Sequence, residues 1–166
     1  MSETVRKAVA ADVDAVVELI AEVAAEGRWL ATEVPFDRGA RADRMRAGVT
    51  SGRIMLFIAE TADGRIVGEL SLWLTGSRAE LGMAIGREAR GHGLGSAMMQ
   101  AALAWADANG VTETELTVIP DNAVALALYQ KCGFAQTEYK PNALPRRNGE
   151  TLDLIAMRRN RGRGVS

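Results

Sequence analysis

The chain has 166 residues, 48% of them apolar and 25% charged, and a formal net charge of −1. That length suits one domain with a full hydrophobic core, and the near-neutral balance argues against gripping nucleic acid through bulk positive charge. One cysteine, Cys132, and one histidine, His92, exclude an internal disulfide and leave too few ligands for a structural zinc site, so no metal is expected.

Met1-Ser2-Glu3-Thr4 shows no leader pattern, and no apolar run approaches the ~18 residues of a membrane span. A soluble, cytoplasmic protein with no membrane partner is expected.

In chain order, residues 4–8 alternate enough for a short strand. Asp12 is a candidate cap for a helix over 13–26, with Val13, Val16, Val17, Ile20, Val23 and Ala24 on one face and Gly27 as its stop. The loop that follows is rich in large apolar groups. Its Trp29 and Phe36 suit either local packing or the wall of a binding cleft. Asp37 caps a shorter, arginine-rich helix to about Val49. Segments 53–60 and 65–75 flank Asp63-Gly64, a strong hairpin signal, and should pair antiparallel. Gly76-Ser77-Arg78 then turns the chain into a third strand, 79–85.

Next comes Arg90-Gly91-His92-Gly93-Leu94-Gly95-Ser96, leading into a helix that runs to Asn109. Glycines at alternate positions before a helix leave backbone N–H groups uncovered by any Cβ, and a helix start carries unpaired donors and partial positive charge. Together these form a cradle for phosphate oxygens, with Arg90 as a neighbouring cation. The G-x-G-x-G spacing fits neither the dinucleotide fingerprint nor a P-loop, which excludes a nucleotide-binding redox domain. Met98, Met99, Leu103 and Trp105 on the helix belong to the core. Beyond Gly110, residues 112–119 form a strand ended by Pro120, Asn122 heads a helix over 123–132, and Gly133 stops it. Two more strands, 134–140 and 150–157, flank a Pro/Arg/Asn loop.

The order β-α-α-β-β-β-α-β-α-β-β makes strands 79–85 and 112–119 parallel neighbours through a crossover helix. An α/β fold follows, with a mixed sheet of about seven strands and helices on both faces. Residues 1–158 form a single domain, and 159–166 are expected to be a disordered basic tail.

Two motifs are specific. Arg90-Gly91-His92-Gly93-Leu94-Gly95 is similar to an R/Q-x-x-G-x-G/A pyrophosphate loop. Asn122-Ala123-Val124-Ala125-Leu126-Ala127-Leu128-Tyr129-Gln130-Lys131-Cys132-Gly133-Phe134 is similar to N-x-x-A-x-x-L-Y-x-K-x-G-F. Through both, in the expected order, the chain resembles the GNAT acetyltransferase superfamily along essentially its whole length. The resemblance implies a centrally splayed sheet, acetyl-CoA as donor, a primary amine as acceptor, direct transfer without an acyl-enzyme, and a homodimer. It implies that the pantetheine arm bonds main-chain groups of Met83, Ala84 and Ile85. The pyrophosphate would sit on the backbone of Gly91, His92, Gly93, Leu94, Gly95 and Ser96 beside Arg90. Asn122 would bond the splayed strand or the pantetheine amides.

The ammonium must lose a proton before it attacks. Glu80, on the strand that binds the thioester end, is the candidate base; its alternative is a sheet-face carboxylate paired with Arg78 or Arg87. Glu33, in the aromatic loop with Trp29 and Phe36 over the acceptor cleft, is the rival. Tyr129 matches the family tyrosine that protonates or hydrogen-bonds the leaving thiolate, with a buried aromatic as its structural alternative. The acceptor is expected to be a small-molecule amine. The alternatives are a protein N-terminus or lysine, or an acetyl-CoA-binding module without catalysis.

Overall fold

The computed structural model describes residues 2–161. Seven strands form one sheet: β1 (Thr4–Lys7), β2 (Ile54–Glu60), β3 (Ile66–Thr75), β4 (Arg78–Ile85), β5 (Glu113–Val118), β6 (Ala135–Pro145) and β7 (Thr151–Asn160). Their order is β1-β2-β3-β4-β5-β7-β6, and only β4 and β5 run parallel. Helices α1 (Val13–Ala24) and α2 (Arg38–Ser51) cover one face. Helix α3 (Leu94–Ala108), with α4 (Ala123–Lys131) beside it, covers the other. The mixed, splayed, seven-stranded α/β architecture expected from the sequence is the one observed.

The two faces have separate cores. Met98, Met99, Ala102 and Ala106 of α3, all 0% exposed, pack on Leu70, Leu72 and Leu81. On the other face Val13, Val16, Val17 and Ile20 of α1 and Met45 of α2 pack on Ile54, Leu56 and Ile58. A stripe of branched residues at helical spacing explains α1, whose apolar side is wide enough to bury both edges.

Local signals decide most boundaries. Asp37 caps α2 by accepting the Ala40 N–H at 2.9 Å, and Gly27 leaves α1 at φ +73°, a conformation that favours glycine. Asp12 departs from expectation. It closes a 3-10 turn ahead of α1 and makes no cap bond there. Its carboxylate accepts the Val9 N–H at 2.8 Å and takes both terminal nitrogens of Arg6. The basic segment also departs from it. β7 continues through Asn160, because Arg158 pairs with Glu113 and Glu115 and Arg159 clasps Asp107 at 2.8 and 3.0 Å. Residues 162–166 of the expected tail lie outside the described residues.

Candidate active site

The site begins where the sheet opens. β4 and β5 share three register pairs, Arg78↔Glu113, Ala79↔Thr114 and Glu80↔Glu115, and their ladder stops there. On its other side β4 stays paired with β3 to Gly68↔Ile85. The Gly86 N–H donates to the Val67 carbonyl at 2.8 Å. Because main-chain direction alternates along an antiparallel pair, Met83 and Ile85 turn their backbone groups toward the gap beside β5. Of the three strand residues expected to bind pantetheine, these two present their main chain and Ala84 faces β3. Part of the gap is already claimed, since Arg90 Nε donates to the Ile85 carbonyl at 2.9 Å.

Behind the gap lies the start of α3. Gly93 is its N-cap at φ +80°, with no side-chain cap, and Gly91 is at φ +81°. The helix therefore begins at Leu94, within the stretch expected from the sequence to lead into it, because a left-handed glycine permits the sharp entrance. With no side chain bonding the first turn, the N–H groups of Leu94, Gly95 and Ser96 remain available to an anion. A Cβ on Gly91 or Gly93 would meet nothing within 4 Å, so the space before the loop is open. Gly95 is needed for packing. A Cβ there would stand 3.0 Å from Leu128 and 3.4 Å from Ile85, and its absence lets α3 close on α4 and β4. His92 is exposed in this loop.

Arg90 is engaged elsewhere than expected. Its terminal nitrogens grip Glu26 at 2.8 and 2.6 Å, which pins the end of α1 to the glycine loop. The Arg90 guanidinium in turn holds the Glu26 carboxyl below its ordinary range. A cavity of about 410 Å³ beside this pair is lined by Glu22, Glu26, Arg28, Trp29, Arg87 and Arg90. Trp29 thus borders the approach to the glycine loop, with the Arg28 guanidinium 4.3 Å over its ring. A second cavity, about 530 Å³, lies between α1, the β2–β3 turn and residues 86–89, and shares Glu22, Glu26 and Arg87 with the first.

Tyr129 is buried against Phe134, ring centroids 6.0 Å apart. Burial pushes its phenol up to about 12, so it remains a proton donor throughout the physiological range. Asn122 takes the role of an ordinary cap, its side-chain oxygen accepting the Ala125 N–H at 3.2 Å.

Glu80 is exposed at the last β4–β5 pair. The pairing with Arg78 or Arg87 held as its alternative is not formed, for Arg78 goes to Glu113 and Glu115 and Arg87 to Glu26. Glu33 is committed instead. It accepts the Arg147 N–H at 3.0 Å and sits 3.5 Å from Arg146 Nε, while Arg146 also donates to the Leu30 and Ala31 carbonyls at 3.2 Å. It latches the loop 25–37 to the β6–β7 turn. Phe36 packs on the α1–α2 core beneath that loop.

Two residues of this region escaped the sequence reading. Glu69 is 4% exposed, and its Oε2 has no hydrogen-bond partner among the described residues. Burial pushes its carboxyl up to about 8 against the weaker pull of Arg41 and the Ala84 main chain. The available signal was an acid inside Ile66-Val67-Gly68-Glu69-Leu70, a strand covered on both faces. Arg41 shares a helical stripe with the buried Met45 and Gly48, at i, i+4 and i+7.

Among known proteins, the family model for the acetyltransferase (GNAT) family matches residues 15–134. The chain belongs to that family. A mycothiol acetyltransferase of Clavibacter michiganensis subsp. michiganensis is 45% identical over 83 residues, 48% of this chain. The match spans only 26% of that relative's length. Among solved structures, one described as a phosphinothricin N-acetyltransferase superposes with a TM-score of 0.82 at 28% identity, covering 97% of this chain and 99% of that one. A GNAT phosphinothricin acetyltransferase of Sinorhizobium meliloti in complex with acetyl-CoA gives a TM-score of 0.86 over 99% of this chain and 91% of that one. Its 23% identity speaks for the fold alone. No helix among the described residues is long and apolar enough to cross a membrane.

Proposed function

We propose that the protein transfers an acetyl group from acetyl-CoA to the primary amine of a small molecule. The observation that carries this reading is the unpaired run of β4 beyond Glu80, opening onto the uncapped start of α3. An extended donor with a diphosphate at one end fits such a pair of features. Its amide-bearing arm continues the sheet on the main chain of Met83 and the N–H of Ile85, whose carbonyl Arg90 holds, and its phosphates meet the N–H groups of the loop 91–96. The open space before Gly91 and Gly93 supports that fit. Bound there, the donor supplies a thioester carbonyl.

This chain's residues then have three tasks. The glycine loop and β4 orient the donor. Tyr129, held neutral by burial, hydrogen-bonds or protonates the departing sulfur. A carboxylate takes the ammonium's proton, and Glu80 and Glu69 are the two on the α1–α2 side of β3 and β4 that no arginine pairs with among the described residues. The names of the relatives, small-molecule acetyltransferases, support a small acceptor. Strand β6, exposed along nearly its whole length at the sheet edge, supports a second copy docking there. The test is calorimetric titration with acetyl-CoA, followed by thiol release with an amine panel. Binding without thiol release from any amine would leave a binding module and refute the transferase.

A further inference from the structure

On the side of the sheet covered by α1 and α2 lie a carboxyl, Glu69, and a guanidinium, Arg41, neither of which joins an ion pair among the described residues. Glu69 stands mid-strand, in register with Ile58 of β2 and Ala84 of β4. It points to the side covered by α1 and α2, the side on which Trp73 of the same strand joins their core. Several other carboxylates have their cations: Glu26 has Arg90, Glu33 has Arg146, and Glu113 and Glu115 have Arg158. The Oε2 of Glu69 has no hydrogen-bond donor among the described residues. An apolar side chain would be cheaper at such a place. A buried acid with one oxygen left without a donor among the described residues therefore points to a donor that arrives from outside.

Arg41 is its counterpart. The guanidinium lies 4.9 Å over the Phe36 ring and donates to the Thr32 hydroxyl at 3.3 Å. It makes no ion pair among the described residues, and the carboxylate whose charge acts on it is Glu69, with Arg44 opposing. Glu69 also acts on the buried phenol of Tyr129. The charge of Glu69 thus acts on both Arg41 and Tyr129.

We propose that Arg41 and Glu69 form the acceptor subsite and that the acceptor is a small zwitterion, an amine that also carries an anionic group. The anion, carboxylate or phosphonate, takes the Arg41 fork. The ammonium is drawn to Glu69, which receives one proton as carboxylate. The free amine attacks the thioester carbonyl, a C–N bond forms and the C–S bond breaks. The second amine proton leaves with the sulfur as CoA thiol by way of Tyr129, and Glu69 returns its own to water. The proposal rests on the acetyl-transfer reading above.

The test measures CoA thiol release with the common amino acids, their aminoalkylphosphonate analogues, and the matching carboxamides, which keep the amine and lack the anion. The wild type should favour an anionic acceptor over its carboxamide by roughly tenfold or more in kcat/KM. Arg41→Gln should erase the preference, and Arg41→Lys should keep part of it. Carboxylates outpacing phosphonates, or the reverse, tells which anion the site takes. Glu69→Gln, close in shape, should lower kcat/KM for all acceptors by roughly 10²-fold, shift the acidic limb of the pH profile, and leave acetyl-CoA affinity unchanged. Equal turnover of carboxamides by the wild type, or full turnover by Glu69→Gln, would overturn the proposal with acetyl transfer intact. Silence from every amine would overturn acetyl transfer itself, and this subsite with it.

Discussion

Replacing Glu69 by Gln should remove a pH dependence of stability that the wild type carries. Burial displaces this carboxyl from the usual 4.5 to about 8. At about 1.4 kcal/mol per pH unit, ionising it inside the fold costs up to roughly 5 kcal/mol. Relaxation of the surroundings makes that an upper figure. Between those two values the folded chain holds a proton that the unfolded chain has lost. Its stability therefore falls as pH rises through 4.5 to 8 and levels off above. Gln cannot ionise, so its own unmet hydrogen bonds add an offset that does not vary with pH. Urea denaturation of both proteins in half-unit steps from about pH 5 to 9 separates the two contributions. The variant should gain on the wild type by several kcal/mol across that range. A difference that stays flat, or runs the other way, would mean that Glu69 is ionised and satisfied in the native protein, and the orphan-carboxyl argument would fail.

Three further substitutions probe the rest of the site. Tyr129→Phe should keep acetyl-CoA affinity within a few-fold in calorimetry while turnover drops by roughly 10²-fold, as loss of a general acid does; equal turnover would remove the phenol from the mechanism. Gly93→Val should weaken acetyl-CoA binding at least tenfold. The cause is backbone strain at φ +80°, not a clash, since a Cβ there meets nothing within 4 Å. Gly93→Asn, which tolerates that conformation, should bind better than the valine variant, and equal losses would point to obstruction of the phosphates. Glu33→Gln should loosen the loop 25–37 from Arg146 and Arg147. It should raise the acceptor KM and leave the shape of the pH profile alone; a flattened profile would give the base role to Glu33, the rival candidate.

The fold was legible because its signals are local. Asp63-Gly64 forces the β2–β3 hairpin, Asp37 and Asn122 cap their helices, and glycine spacing announces the start of α3. The parallel β4–β5 pair followed from the crossover helix between them. What escaped depends on partners far away in sequence. Arg90 reads as a free cation until Glu26, sixty-four residues earlier, is seen in its grip. Glu33 reads as a cleft carboxylate until the β6–β7 turn arrives beside it. Glu69 and Ser71 alternate with Leu70 and Leu72 as on a solvated strand face. Only the helices packed over that face turn Glu69 into a buried orphan. Arg41 is one of four arginines on α2, and nothing local marks it as the one near Glu69.

The most direct measurement incubates the purified chain with acetyl-CoA and the matched amine panel, following CoA thiol by absorbance and the acceptor by mass spectrometry. Acetyl transfer requires that N-acetylated amine and free CoA appear one for one, and that both fall together in Tyr129→Phe. CoA released without acetylated amine, or acetyl-CoA bound and left intact in the presence of every acceptor, would contradict it.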